Sequence, residues 1–584
     1  MNSQKRENLL NLSLDATKTE REKSQILEVG FDPDTKRWEV IAKYHGDIGR
    51  ISDDVIKVEE LLNGYAIITL PEELMDALSD LEEIEYIEKP KSLIYNIYQA
   101  KTASCILPVT IGTQGLTGKG TLVAVIDSGI DYFLPDFQNE EGSRILYLWD
   151  QTMTADDEKG FFPPPGFAMG VEYTKEQIDA ALATGNRAEA LKLVPETDLS
   201  GHGTAVAGIA AGSSDDPLHR GIAPESELII IKLGPVQEGG FPRTTELMRA
   251  VSYVLTKAIE LKKPIAVNMS FGNSYGAHDG TSLLERFIDN ACEVNRNVIC
   301  VGSGNEGASG GHVSGRIERV TSVELAIADY EQSISVQLWK NYADNFEVEV
   351  VAPDGQQFRV VQNRPGRQTW NVQDTTVLIY MGMPNPYSVN QEIFFDFISQ
   401  NQYIMTGIWT FVLTPIRIVK GLYQMYLPGD AVRSSGTRFL RPSPDLTLTI
   451  PSTASKVITV GAYNALYQAY ADFSGRGEEL AENGILANPY LKPDIVAPGV
   501  GVTAPIRGGG YEPFTGTSFA TPIVTGSAAL LMEWGIVQGN DPYLYGEKIK
   551  AYLIRGARHL PGYEIFPNPQ VGWGALCLQD SMPE

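Results

Sequence analysis

The chain has 584 residues, of which 43% are hydrophobic and 21% charged, a composition that argues against long disorder and predicts about two to four domains. Its 73 acidic and 47 basic residues give a formal net charge of -26, which argues against a nucleic-acid partner because phosphate binding needs the opposite sign. No run of about 18 uninterrupted apolar residues occurs, so we expect no transmembrane segment.

The N-terminal residues and the cysteines indicate in which cellular compartment the protein is expected. The opening "MNSQKRENLLNLSLDATKTEREKS" is polar and lacks the apolar core of a secretory signal, so we expect synthesis in the cytoplasm without export. The cysteines lack the paired spacing of a zinc site and are too few for a disulfide framework. We therefore expect reduced, structural thiols in a reducing compartment. The four are Cys105, Cys292, Cys300 and Cys577.

Residues 25–90 alternate strand and helix signals and predict a small α+β module. Strand-like runs are "RWEVIAKY", "VIKVEELL", "YAIITL" and "EIEYIEK", and "PEELMDALSDL" is typical of a helix. Asn63-Gly64, between two of these strands, predicts a two-residue hairpin. The following "KPKSLIYNIYQAK" has no helical periodicity and a proline near its start, which predicts an extended connector.

From residue 120 onwards, short apolar runs alternate with helical stretches. Runs such as "TLVAVI", "ELIIIKL" and "NVICVGS" are typical of parallel strands buried on both faces, and the alternation predicts a doubly wound α/β domain. Within residues 136–197 a proline-rich loop precedes a short helix, where Thr174 and Gln177 fit a capping box. Residues 312–448 show period-two patterning, which predicts an inserted antiparallel β-sandwich.

Four polar residues are predicted to lie at the carboxyl edge of the parallel sheet, where α/β proteins bind their ligands. Acyl transfer by a serine needs a base, a carboxylate that orients the base, and donors for the oxyanion. Asp127 follows "TLVAVI", His202 lies between glycines before a helix of small residues, Asn305 follows "NVICV", and Ser518 begins a helix. The other histidines are expected to be surface or core residues: His45, His219, His278, His312 and His559.

Each of these residues also has a structural interpretation. Asp127 could cap a turn with Ser128 and Gly129, and an asparagine such as Asn305 is usually only a turn residue. Ser518 could serve as a helix-starting residue. The chain order Asp, His, Ser is that of subtilisin and not of chymotrypsin or the α/β-hydrolases. The four residues together therefore favour catalysis over four separate structural roles.

Six motifs carry a family resemblance. Over residues 100–311 and 448–580 the chain resembles the subtilisin-like serine proteases. The motifs are "VAVIDSGID", "GHGTAVAG", "NMSFG", "GSGNEG", "KPDIVAPG" and "GTSFATP".

The resemblance implies a role for each motif residue. Ser518 would be the nucleophile, His202 the general base, Asp127 the residue that orients it, and Asn305 the oxyanion donor. Calcium is common in this family, but no ligand set is readable here, so we expect no cofactor and leave a metal open. Residues implied to bind an extended peptide are Ser270, Phe271, Gly272, Gly302, Ser303 and Gly304.

The domain order looks like that of the Csp germination proteases of anaerobic spore formers. The resemblance implies a jelly-roll insert and a ferredoxin-like prodomain that is cut off autocatalytically, between Gln99 and Ala100, and stays bound. It also implies a protein substrate, the zymogen of a spore cortex-lytic hydrolase, and incorporation into the spore. The implied domains are residues 1–99 (prodomain), 100–311 and 449–584 (catalytic domain) and 312–448 (insert).

Two other functions stay open. Some relatives have lost triad residues and act without proteolysis, so the chain could be a signalling or binding scaffold. A general intracellular subtilisin is the other alternative, although a retained prodomain and a bulky insert would both narrow access to the cleft.

Overall fold

The structure is a computed structural model that describes residues 5–18, 21, 30–33, 35–61, 64–90, 96–112, 114–234, 242–361, 366–478 and 491–583. The chain forms two compact units, Met1–Ile94 and Tyr95–Glu584. The division into residues 1–99, 100–311, 312–448 and 449–584 stays a prediction.

The N-terminal unit is an antiparallel sheet with short helices, as the α+β pattern predicts. Alternating residues of its second strand, Trp38, Val40 and Ala42, are fully buried in the core, because side chains of a strand point to opposite faces in turn. The ferredoxin-like arrangement stays a prediction. The elements are α1 (Asn8–Asp15), β1 (Phe31–Asp32), β2 (Arg37–Tyr44), β3 (Lys57–Leu61), β4 (Tyr65–Pro71), α2 (Met75–Asp80) and β5 (Ile84–Glu88), in the sheet order β1-β2-β4-β3 with β5 also paired to β2.

The predicted hairpin exists but its loop is longer than expected. Leu61 of β3 pairs with Tyr65 of β4, which leaves three residues between the paired ends where the dipeptide predicted two. Asn63 lies outside the described residues. Gly64 has φ of +71°, a left-handed conformation that glycine adopts without steric cost and that is typical of the last position of a three-residue loop.

The extended connector predicted for residues 89–101 is wrong in its second half. Residues 96–103 form helix α3 (Asn96–Ala103), followed by α4 (Leu107–Thr110), while residues 91–95 lie outside the described part of the chain. Helix α3 packs on the strand Val502–Pro505, and Ala100 is only 1% exposed. Tertiary burial stabilises a helix that the local pattern is too weak to indicate.

The first half of the main unit supplies most of its central sheet. All residues of β6, β12 and β13 are buried, as expected of parallel strands covered on both faces. Strands β7 and β8 pair only with each other and lie outside this sheet. The strands of this half are β6 (Leu122–Asp127), β7 (Gln138–Asn139), β8 (Gly142–Ser143), β9 (Ile145–Asp150), β10 (Val171–Thr174), β11 (Glu227–Lys232), β12 (Ile265–Met269) and β13 (Asn297–Gly302).

The insert consists of two antiparallel sheets around a separate aromatic core. Phe395 and Phe411 meet edge to face at 5.2 Å inside it. The sandwich architecture is as predicted, and its jelly-roll connectivity stays a prediction. The strands are β14 (His312–Arg316), β15 (Thr321–Ile327), β16 (Ser333–Asn341), β17 (Asn345–Val351), β18 (Gln357–Arg359), β19 (Gly366–Val372), β20 (Thr375–Met381), β21 (Asn390–Ser399), β22 (Gly407–Arg417), β23 (Leu422–Tyr426) and β24 (Arg438–Phe439), in the sheet orders β14-β23-β16-β21-β20-β19 and β18-β17-β22-β15-β24.

The chain then returns to the central sheet. The remaining strands are β25 (Ile458–Asn464), β26 (Ala469–Tyr470), β27 (Ile495–Pro498), β28 (Val502–Pro505) and β29 (Tyr511–Phe514). The nine-stranded sheet has the order β10-β9-β11-β6-β12-β13-β25-β26, with β27 also paired to β25. Strands β9, β11, β6, β12, β13, β25 and β27 run parallel, which confirms the α/β class.

Helices flank this sheet. The predicted capping box begins α5, where the Gln177 side chain accepts the Thr174 N–H at 2.9 Å. The helices are α5 (Lys175–Ala183), α6 (Arg187–Leu193), α7 (His202–Ala211), α8 (Thr244–Leu261), α9 (Leu283–Ala291), α10 (Thr517–Met532), α11 (Glu547–Arg555) and α12 (Leu578–Ser581).

The cysteine expectation is wrong for one pair. Cys105 and Cys577 form a disulfide, although 472 positions separate them. They meet because the C-terminal segment lies against the end of α3, where Leu578 N–H donates to the Ser104 carbonyl at 2.9 Å. Cys292 and Cys300 are free and buried, in keeping with structural thiols.

One helical stretch is long and apolar enough to cross a membrane by length and composition alone. It comprises Thr517–Val537, and 83% of its most apolar window is buried inside the protein. A core helix packed against the sheet has the same composition, so the stretch is weak support for a membrane span.

Candidate active site

Asp127 and His202 meet at the carboxyl edge of the central sheet. Asp127 ends β6 and His202 begins α7, and His202 Nδ1 lies 2.7 Å from Asp127 Oδ1. The same carboxylate oxygen accepts the Ser128 N–H at 2.7 Å. The Asp127 side chain is 4% exposed and the imidazole 33%. An Nδ1 proton donated to the carboxylate leaves Nε2, the other ring nitrogen, as a proton acceptor.

A close approach of α7 to the strand end makes this contact possible. A Cβ atom at Gly203 would lie 2.2 Å from the Gly129 carbonyl oxygen and 3.2 Å from Cβ of Asp127. Every residue of α7 after His202 is buried. The small residues of this helix therefore position the imidazole, as the sequence predicts.

Asp198 organises the loop before His202, and the sequence interpretation missed it. Its Oδ1 accepts the Gly201 N–H at 3.0 Å and the Ser128 hydroxyl at 2.8 Å, and its Oδ2 accepts the Thr204 N–H at 2.8 Å. A carboxylate just before a helix N-terminus was the available signal, since such residues satisfy unpaired N–H groups there.

Ser518 lies in the first turn of α10, and the residue after it contacts the histidine ring. The His202 ring is 5.3 Å from the ring of Phe519, the next residue. Among the described residues, however, the Ser518 hydroxyl donates to the Ser270 carbonyl at 2.9 Å and not to the imidazole. The Ser270 hydroxyl in turn donates to the Ser518 carbonyl at 3.0 Å.

The second of these bonds compensates for a proline. Pro522 is the sixth residue of α10, inside the helix and beyond its first turn. Because proline has no N–H, the carbonyl of Ser518, four residues earlier, loses its helical partner. The Ser270 hydroxyl replaces that donor, so the helix start is held to the strand that carries Ser270.

Asn305 is oriented by the same helix start. Its Oδ1 accepts the Thr517 N–H at 3.0 Å and the Thr517 hydroxyl at 3.1 Å. Fixing the oxygen fixes the orientation of the whole amide, since the amide is planar, and it leaves Nδ2 as the donor end. Asn305 is exposed at the cleft.

A cavity of about 360 Å³ adjoins Ser518. Ser303 is the predicted substrate-binding residue that does not line it, because its side chain is fully buried and its N–H donates to the Val460 carbonyl at 2.9 Å. Among the residues that line the cavity are Ser270, Phe271, Gly272, Gly302, Gly304, Asn305 and Ser518.

The pKa of His202 is raised above its usual value. Burial lowers it, but the negative charge of Asp127, the hydrogen bond to that carboxylate and the charge of Asp198 together outweigh burial. The site therefore stabilises the imidazolium form.

Gln99 and Ala100 lie within helix α3. Proteases generally bind the scissile segment in extended form, so this helix must unwind before the bond between them can be cut. Ala100 is buried in the core of the main unit.

No group of three or more His, Cys, Asp or Glu side chains suited to a metal ion occurs among the residues that the structure describes. The expectation that the chain needs no cofactor stays a prediction, and so does a structural calcium ion.

Comparison with known proteins decides the family. The model of the subtilase family matches residues 118–380 and 431–574. The chain belongs to the subtilase family. The model of the Csp protease B prodomain matches residues 4–91. Both matches confirm the resemblance drawn from the sequence.

One solved structure resembles most of this chain. The structure of the Clostridium perfringens CspB protease is 34% identical to this subtilase, with a TM-score of 0.75, and the alignment covers 83% of this chain and 96% of that one.

Curated relatives are more distant. The minor extracellular protease Vpr of Bacillus subtilis (strain 168) is 24% identical over 80% of this chain and 52% of its own length. The major intracellular serine protease of the same strain is 26% identical over 41% of this chain and 60% of its own length. This chain therefore spans only about half to three fifths of these relatives.

Proposed function

We propose that this subtilase is a serine endopeptidase in which Ser518 attacks the peptide carbonyl and His202 takes its proton. The contact of 2.7 Å between His202 Nδ1 and Asp127 Oδ1 is the observation that carries the proposal. It fixes the ring so that Nε2 faces away from the carboxylate, and Phe519 places the start of α10 beside that ring.

The proposed reaction needs a rotation of the Ser518 side chain. Its hydroxyl donates to the Ser270 carbonyl, and a change of χ1 moves it between staggered positions on a short timescale. Catalytic hydrogen bonds of free enzymes are often formed only when substrate binds. Substrate binding along Ser270 would therefore favour the rotamer that faces His202.

The proposed steps are those of a serine protease with a histidine base. Ser518 Oγ bonds to the carbonyl carbon while its proton passes to His202 Nε2, and the imidazolium then protonates the leaving amine. Asn305 Nδ2 and the N–H groups at the start of α10 stabilise the oxyanion. Water, activated by His202 in the same way, hydrolyses the acyl-enzyme.

The proposed substrates are proteins, bound in extended form. The residues from Ser270 to Gly272, together with Gly302 and Gly304, line the cavity, and their backbone would contact the peptide main chain. The match to the Csp protease B prodomain and the likeness to the CspB protease support a Csp-type protease with a prodomain. The narrower role that we propose follows the resemblance to the Csp germination proteases: self-cleavage between Gln99 and Ala100, a prodomain that stays bound, and activation of a cortex-lytic zymogen in the spore.

A non-proteolytic scaffold is the second candidate function. The hydrogen bond from Ser518 to Ser270, in place of one to His202, is the observation that favours it. No comparable observation favours the other alternative, a general intracellular subtilisin. Casein digestion tests it: a rate comparable to that of a free subtilisin would support this function.

A fluorophosphonate probe tests the proposed function. We expect the purified wild type to be labelled, Ser518→Ala to remain unlabelled, and the matched control Ser333→Ala, which changes an exposed serine of the insert, to be labelled like wild type. Absence of labelling in prodomain-cleaved wild type would support the scaffold.

The rate should depend on pH through His202. Because the folded site raises the pKa of His202, the imidazole stays protonated, and hence unable to accept a proton, to a higher pH than an ordinary histidine. We expect the acid limb of kcat/KM to be centred above about pH 6.5. Initial rates on a neutral peptide between pH 5 and 9 measure it, and a midpoint below that value contradicts the charge effects of Asp127 and Asp198.

Asn305→Ala should lower turnover about 10²- to 10³-fold with little change in KM, because the amide donor acts on the oxyanion and not on the ground-state carbonyl. Steady-state kinetics check this, with Asn401→Ala, an exposed amide on the insert, as control. An unchanged kcat would remove Asn305 from the proposed role.

A further inference from the structure

The cavity beside Ser518 is shared between the catalytic domain and the insert. Gly302, Gly304 and Asn305 line one side, and Asp430 and Ala431, which lie in a turn between β23 and β24 of the insert, line another. The insert therefore contributes to the space that adjoins the proposed nucleophile.

This turn is held firmly in place. Arg433, whose side chain is fully buried, donates to the Pro428 carbonyl at 3.0 Å and to the Ser309 carbonyl at 2.8 Å. The Asp430 N–H donates to the Glu306 carboxylate at 3.1 Å. Ser309 and Glu306 follow Asn305 in the chain, so these bonds fix the turn to the loop that carries the oxyanion donor.

The cavity also contains a buried polar atom without a partner. Thr449 is 6% exposed, and its hydroxyl oxygen has no hydrogen bond among the described residues. Cβ atoms at Gly272 or Gly304 would lie 2.5 Å from this oxygen, and Gly304 also has φ of +92°. Glycines at both positions therefore leave room for the buried Thr449 side chain at the wall of the cavity.

Two acidic side chains give the cavity a negative character. The carboxylates of Glu306 and Asp430 line it, and the guanidinium of Arg433 lies 3.4 Å from Asp430 Oδ1. Arg433 is fully buried and is not one of the lining residues, so a further carboxylate entering the cavity would be repelled by the two acidic groups, while N–H donors would find acceptors.

We propose that this cavity receives the substrate side chain before the scissile bond, and that Asp430 of the insert makes it select side chains ending in N–H donors, such as glutamine or lysine, and exclude carboxylates. The inference rests on the proposed function. Glu306 and Asp430, which line the cavity, accept the N–H groups of the bound side chain. The insert thereby acts as a specificity element of the protease.

Four peptides that differ only in that residue test the proposal. We expect kcat/KM for glutamine and for lysine to exceed that for glutamate at least about 100-fold, with leucine between them, because an unpaired or like-charged group in a polar pocket is costly. Glutamine and glutamate have the same shape, so their ratio reports charge and donors and not size.

Asp430→Asn should reduce the glutamine-to-glutamate ratio about 10-fold, since it removes one negative charge and keeps the volume. Glu306→Gln, which retains an acceptor for the Asp430 N–H, should reduce it similarly and serves if the first variant folds poorly. Asp329→Asn, which changes an exposed aspartate elsewhere on the insert, should leave the ratio as in wild type.

The outcomes separate the two proposals. A wild type that labels with the phosphonate but has a ratio near one, or a ratio unaltered in both Asp430→Asn and Glu306→Gln, overturns the pocket assignment alone. A wild type that neither labels nor cleaves any of the four peptides overturns the proposed function and the pocket assignment with it.

Discussion

The Ser518→Ala variant is expected to keep residues 1–99 covalently attached and to hydrolyse peptides at least about 10⁴-fold more slowly than wild type. In the proposed function one nucleophile would serve both self-cleavage and turnover, so both should be lost together. The variant should fold, because the bond from the Ser270 hydroxyl to the backbone carbonyl at position 518 does not involve the lost side chain.

Gel electrophoresis and N-terminal sequencing of the purified variant measure the first effect, and initial rates on a peptide the second. Ser333→Ala, a serine-to-alanine change on the insert surface, should be processed like wild type. A Ser518→Ala chain that begins at Ala100 would show that another protease makes the cut, even if turnover is lost.

Processing at that position requires more of the chain than the nucleophile. The bond between Gln99 and Ala100 lies in helix α3, and Ala100 is packed in the main core. Cleavage there must precede the final folding of α3 or follow its unwinding. A cut at this bond would make Ala100, which is packed in the core, the new N-terminal residue.

The location of the candidate site residues was predictable from the sequence, because the topology of a parallel sheet brings the residues that follow its strands to one edge. Asp127 follows an apolar strand, His202 begins a helix of small residues, and both features are local in sequence. The structure places the two side chains in contact. The same reasoning predicted Asn305 and Ser518 at this edge of the sheet. In the structure, the Thr517 N–H donates to Asn305 and orients its amide.

Other features depend on contacts between distant segments, which no local pattern encodes. The disulfide between Cys105 and Cys577 exists because the C-terminal segment crosses the end of α3. Thr449 and Asp430 reach the cavity only through the way the insert returns to the catalytic domain. The rotamer of Ser518 is likewise set by Ser270, a partner 248 positions away.

The Asp127→Asn variant should lose about 10⁴-fold in kcat while its fold is kept. Both the Ser128 N–H and His202 Nδ1 contact Asp127 Oδ1, so an amide oxygen in that position preserves both hydrogen bonds. What the amide cannot supply is the negative charge that stabilises the imidazolium formed when His202 takes the serine proton.

The other end of the new amide would also be badly placed. Asp127 Oδ2 is buried without a hydrogen-bond partner among the described residues, so an NH₂ group there finds no acceptor. Rotating the amide would satisfy that group only by facing it towards His202, which would impose the wrong tautomer on the ring. Either orientation lowers kcat.

Single-turnover rates and a thermal melt of Asp127→Asn test this argument, with Asp329→Asn as a charge-matched control on the insert. The variant should melt near the wild-type temperature and show a His202 pKa lower than that of wild type by NMR, because the charge that raises it is gone. A kcat within about 10-fold of wild type would mean that the Asp127–His202 contact is structural and that another group orients the base.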